Sequence, residues 1–117
     1  MSRDHRKLDA FKLADEMTLR TYGATQEFAR SEIYGLRAQL RRAAVSVPTN
    51  IVEGCARHSE GDFARFLDVA FASSREVIYL LSLAARLELM DRDVANDLAL
   101  FSGRVAAALA ALRKAIK

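Results

Sequence analysis

Arg37, Arg41 and Arg42 crowd one short stretch, and Arg57 and Arg65 follow downstream. Guanidinium forks match phosphate oxygens in pairs, so five arginines on one surface would suit a nucleic-acid backbone. Arg37 and Arg41 are a helical turn apart and share a face, while Arg42 is offset. The competing reading is structural: the same arginines pair with Glu53, Glu60, Asp62 or Asp68, within or between copies of the chain. Asn50, Glu53 and Arg57 step by three and four in otherwise apolar surroundings. That spacing points to a buried polar network, Ser46, Pro48, Asn50 and Glu53, that fixes geometry or subunit register. A catalytic carboxylate is the sharper alternative, but no second carboxylate, histidine or nucleophile stands at motif spacing. Cys55 and His58 are three apart and would share a helix face, yet metal sites need three or four ligands and no matching pair occurs elsewhere. Cys55 reads as a small packing residue. Gly54 and Gly61 stand in no phosphate-loop context. No catalytic residue, metal or cofactor is therefore expected.

A chain of 117 residues fits one domain over 1–117. The composition is 51% apolar, without Trp and with a single Pro, and Ala and Leu dominate, which favours helix throughout. One cysteine allows no internal disulfide and suits a reducing cytoplasm. The longest uncharged run, Ala43 to Val52, falls well short of the roughly 20 residues of a membrane span. Residues 1–7 carry charge without an apolar segment and read as a frayed, flexible lead. The net charge is +3, mildly basic. Basic residues exceed acidic ones in 31–58 (4 to 2) and 91–117 (5 to 3), and acidic ones exceed basic in 59–90 (5 to 3).

Four helices follow from period and caps. Helix 1 is expected from Asp9, as N-cap, to Phe28, with Leu8, Phe11, Ala14, Thr18, Tyr22, Thr25 and Phe28 near one stripe. Gly23 would weaken it or admit a neighbouring backbone. Ser31 caps helix 2, whose core face takes Ile33, Leu36, Leu40, Ala43, Ala44, Val47, Ile51 and Gly54. Pro48 has no N–H for the carbonyl of Ala44, and its ring crowds that carbonyl. Helix 2 is therefore expected to kink at Pro48, with Ser46 or a water meeting the freed carbonyl; a true break restarting near Thr49 is the alternative. Ser59 caps helix 3, which runs to about Leu89 on a stripe of Phe63, Phe66, Leu67, Ala70, Ser74, Val77, Ile78, Leu81 and Ala84. Asp91 caps helix 4, with a seam at Val94, Leu98, Phe101, Val105, Ala108 and Leu112. The economical fold is an all-α, antiparallel, up-down-up-down four-helix bundle.

Val45, Pro48 and Val52 add a second apolar strip to helix 2, and Phe71 and Leu80 fit neither face of helix 3. Side chains left over in this way are covered by self-association, so Val45, Val52, Phe71 and Leu80 are the expected oligomer interface.

The run LRAQLRRAAVSVPTNIVEGCARHSEGDFARFL, residues 36–67, resembles the signature of the four-helix-bundle proteins encoded in intervening sequences of bacterial 23S rRNA genes. That signature reads L-x-x-Q-x-R-R-A-x-x-S-x-P-x-N-I-x-E-G-x-x-R, then F-x-x-F-L after a short gap. Leu36, Gln39, Arg41, Arg42, Ala43, Ser46, Pro48, Asn50, Ile51, Glu53, Gly54, Arg57, Phe63, Phe66 and Leu67 match it. The chain departs in having Ala29 after Phe28, where the family has Pro, and Ala72-Ser73 in place of Gly-Ser. The resemblance implies a four-helix protomer, a ring-shaped homopentamer and no catalytic residues. The family is similar to the accessory protein of diversity-generating retroelements, which works with a reverse transcriptase and its RNA. The partners so implied are other copies of the chain and RNA or a reverse transcriptase, with no membrane. A protein-binding scaffold without nucleic-acid contact is the alternative.

Overall fold

A computed structural model describes residues 3–28 and 35–116. Within them lie a short 3-10 turn at His5–Lys7 and four helices: α1 (Asp9–Ala24), α2 (Leu36–Cys55), α3 (Glu60–Arg86) and α4 (Arg92–Lys114). The expected Ser31 cap, Ile33 and the connection over 29–31 fall outside the described residues. Each helix touches two others, α2 with α1 and α3, and α4 with α1 and α3, so the four close a ring around one core. Thr18 of α1 meets Ala44 of α2 while Thr25 meets Arg41. Gly54 of α2 approaches Phe63 of α3 while Ser46 meets Ser73. In both pairs one helix ascends in number as the other descends. The bundle is elongated, 45 × 23 × 19 Å, and its centre is filled by Met17, Leu40, Val47, Ile51, Phe63, Leu67, Val77, Leu81, Val105 and Leu109.

The caps explain where α3 and α4 begin. The Ser59 hydroxyl accepts from the Asp62 amide at 3.0 Å. The Asp91 carboxylate accepts from the amides of Asp93 and Val94 at 2.9 and 3.1 Å, meeting donors that the first turn leaves free. At the far end of α3, Leu89 and Glu88 amides donate back to the carbonyls of Ala84 and Ala85, and Glu88 takes the left-handed conformation, φ 60°. This is a Schellman stop built without glycine. It ends α3 at Arg86, short of the expected Leu89.

Several expectations change. α1 stops at Ala24, short of the expected Phe28; beyond Thr25 the amides of Gln26 and Phe28 turn to carbonyls only three residues back, those of Gly23 and Thr25. Asp9 does not cap it; Leu8 precedes the helix with no side-chain bond, and Asp4 caps the 3-10 turn through the Arg6 amide. The lead expected to fray is fastened from Arg3 onward. The Arg3 amide donates to the Cys55 carbonyl at 2.7 Å, and its guanidinium lies 4.0 Å over the Phe63 ring and pairs with Glu60. In α4, Val94 is exposed whereas Ala95 and Leu109 are buried, so the buried face is turned from the expected seam. Leu80 is 2% exposed and belongs to the core. α3 lies between α2 and α4 and must bury a wider arc than one stripe, so Leu80 is not available to a second copy. Pro48 is buried inside the protomer as well.

The glycines also exchange roles. Gly23 faces open space, whereas a Cβ on Gly54 would sit 2.9 Å from Phe66 Cβ and 3.2 Å from Phe63 Cδ1. The α2–α3 crossing is therefore close enough to require a residue without a side chain. Gly54→Ala should lower stability by about 1–3 kcal/mol through overpacking. Gly103→Ala, in α4 with nothing within 4 Å, should raise it by about 0.5–1 kcal/mol. Urea unfolding of both variants checks the pair, and equal effects of the same sign would contradict this account of the crossing.

Candidate nucleic-acid interface

α2 carries most of the sequence-nominated residues, and its length separates them. Arg37, Arg41 and Arg42 lie in its first two turns, and Arg57 lies just past its end at Cys55. At 1.5 Å per residue Arg57 stands roughly 22–30 Å along the axis from the other three. The five arginines therefore do not gather at one point of the bundle.

Arg41 is occupied structurally. Its Nε donates to the Thr25 hydroxyl at 2.8 Å and its Nη2 to the Tyr22 carbonyl at 3.0 Å, with the guanidinium 4.3 Å over the Tyr22 ring. It meets a carbonyl that the last turn of α1 leaves free, at the negative end of that helix. Partial burial, then the adjacent charge of Arg37, pull its pKa below the usual arginine value. Arg65 pairs with Asp62 one turn back at 3.0 Å. Arg42 and Arg57 are exposed, and neither has a carboxylate partner among the described residues.

Around Pro48 the helix runs unbroken, which excludes the restart near Thr49. The carbonyl that proline leaves without a donor is that of Ala44, a fully buried residue. The Thr18 hydroxyl of α1 supplies the bond at 3.1 Å, sharing its proton with its own Ala14 carbonyl at 2.9 Å. Ser46, expected to do this, instead meets Ser73 of α3, hydroxyl to hydroxyl at 2.9 Å. Asn50 Nδ2 donates to the Ser46 carbonyl and hydroxyl at 2.7 and 3.0 Å. The side-chain network is thus Ser46, Asn50 and Ser73, with the Thr18 bond to the Ala44 carbonyl a separate contact on the α1 side. Glu53, expected within it, is exposed, because it points off the face that α3 covers. Thr18 and Ser73 were missed as polar partners. A threonine on an apolar stripe of one helix and a proline inside another was the available signal.

At the turn from α2 to α3, the Arg57 and Arg65 guanidiniums lie 4.9 and 5.5 Å from the Phe66 ring centre. Two cations and one aromatic face are thereby held together at the end of the bundle. The adjacent Cys55 thiol is buried, and burial pushes its pKa up from the usual value, which keeps it protonated and inert. No three His, Cys, Asp or Glu side chains converge among the described residues. On the sides of the bundle, Val45 and Phe71 are each 38% exposed and Val52 is half-buried.

Comparison with known proteins places this geometry. A family model described as "23S rRNA-intervening sequence protein" matches residues 6–111. A crystal structure of a protein of unknown function, from the S23 ribosomal protein family of Bacteroides thetaiotaomicron, superposes with a TM-score of 0.83 at 22% identity. The match covers 90% of this chain and 95% of that one, and it shows a shared fold. No curated protein matches the sequence.

Proposed function

The chain belongs to the 23S rRNA-intervening sequence protein family, and from that premise we propose that it acts by binding and not by catalysis, as a homo-oligomeric bundle that contacts structured RNA through arginines. The observation that carries the reading is the arrangement at the α2–α3 turn. Arg57 is exposed, free of carboxylates among the described residues, and held with Arg65 against Phe66. Guanidiniums fixed beside an aromatic face offer both a phosphate contact and a stacking surface. A single protomer, at +3, makes a weak field. A ring of copies sums it into one that steers polyanions.

The oligomer rests on side chains a lone protomer leaves wet. Val45 of α2 and Phe71 of α3 stay exposed, and two such positions on different helices suit a ring in which each copy uses two unlike faces. A protein-binding scaffold without nucleic-acid contact is the competing reading, and the strong exposure of Leu19 and Leu100 favours it.

Fluorescence anisotropy of a labelled structured RNA across a salt series tests the binding reading. Affinity should fall linearly with salt on logarithmic axes, and replacing Arg57 and Arg65 by Ala should reduce the slope by about one to two. Absence of binding at low salt, or binding that ignores salt, would overturn it. Light scattering tests the assembly: the wild type should give a mass several times 13.0 kDa, and Val45→Arg should reduce it. A wild-type protein at the single-chain mass would remove the oligomer.

A further inference from the structure

A cleft of about 210 Å³ opens between α2 and α3, lined by Gln39, Arg42 and Ser46 on one side and Ser73 and Glu76 on the other. The spacings of three, four and three place each row along one helix face. The bonded hydroxyls of Ser46 and Ser73 bridge the two walls, and Asn50 holds Ser46 from below. Arg42 and Glu76 are opposite charges lining the same opening, yet they form no ion pair with each other, and neither finds another charged partner among the described residues. Elsewhere the bundle does pair charges across helices, as Arg113 does with Asp68 at 2.9 Å. In the α2–α3 cleft the donor fork and the acceptor pair line one opening without pairing.

A planar group that satisfies both walls needs two acceptors along one edge and two donors along another. A guanidinium meets the O6 and N7 acceptors of guanine, and a carboxylate accepts from its N1–H and N2 amino group. The edges of adenine, cytosine and uracil mix donor with acceptor and match only in part. The volume lies below that of a usual small-molecule site and suits a single base. Base edges of this kind are open in RNA where nucleotides are unpaired.

We propose that this cleft takes an unpaired guanine, with Arg42 on its O6 and N7 edge, Glu76 on its N1 and N2 edge, and the serine hydroxyls and Gln39 amide completing the contacts. The RNA source of that base rests on the binding reading above; the guanine chemistry is common to a loop nucleotide and a free guanine nucleotide.

Titration of the ¹⁵N-labelled protein with guanosine monophosphate, followed by amide shifts, is the direct test. Shifts should concentrate at Gln39, Ser46, Ser73 and Glu76. Inosine monophosphate, which lacks only the N2 amino group, should bind about tenfold more weakly, as for loss of one bond to a charged acceptor. Glu76→Ala, which removes the acceptor, should erase that difference while leaving the rest of the spectrum in place. Equal response to guanosine, inosine and adenosine monophosphates, shifts confined elsewhere, or an unchanged preference in Glu76→Ala would each overturn the proposal. Two RNA hairpins differing only by guanine or inosine in the loop separate the sources. Preference for the guanine loop supports the RNA source. Guanosine preference with neither hairpin bound leaves the cleft as a free-nucleotide site and removes the RNA reading. Hairpins bound alike, with no mononucleotide preference, remove the cleft and leave the RNA reading standing.

Discussion

Proline inside a buried helix leaves one carbonyl that the helix itself cannot satisfy, and in this protein that carbonyl belongs to Ala44. A buried carbonyl without a donor costs about 1–3 kcal/mol, a large share of the stability of a small domain. The Thr18 hydroxyl meets it from α1, so the fault in one helix becomes a fixed contact between two. Once Thr18 and Ala44 are in register, Arg41 reaches the end of α1 and closes the carbonyl of Tyr22. On the other flank, Ser46 ties the same stretch of α2 to Ser73 of α3, and Gly54 lets the two backbones close at the turn. The centre of the bundle is apolar, and its register is set by a few polar bonds around its one proline.

This arrangement decides what the surface can do. Arg41 serves the fold, and Arg65 is held by Asp62. Arg42 and Arg57 remain outside, at the two ends of α2, one beside a polar cleft and the other against an aromatic ring. That surface presents cations, amide and hydroxyl groups on rigid helices, with the single thiol buried. Sites carried on helices hold their geometry better than sites on loops, which suits selective contact with a base or a phosphate.

Much of the architecture was readable from the chain. The caps at Ser59 and Asp91 and the apolar period continuing across Pro48 give the beginnings of α3 and α4 and the continuity of α2, because these signals act within one helix. What failed depended on neighbours. Leu80 is off the main stripe of α3, yet α3 packs between two helices and buries it. Gly23 and Gly54 look alike in sequence, and only the crossing angle and partner distinguish the open glycine from the crowded one. Arginine types and spacing could not separate Arg41, which caps another helix, from Arg42, which does not. Glu53 shares its spacing with Asn50 but faces solvent, since one further turn fraction carries it off the packed face.

Thr18 stands in for the amide that Pro48 lacks, and a double-mutant cycle on unfolding free energy tests this substitution of donors. With Pro48 present, Thr18→Val should cost about 1–2 kcal/mol. In a Pro48→Ala background the helix regains its own N–H, and the same Thr18→Val change should cost distinctly less, giving a coupling of about 1 kcal/mol. Equal costs in the two backgrounds would mean that the Ala44 carbonyl does not depend on Thr18, and the account of what holds this bundle in register would be wrong.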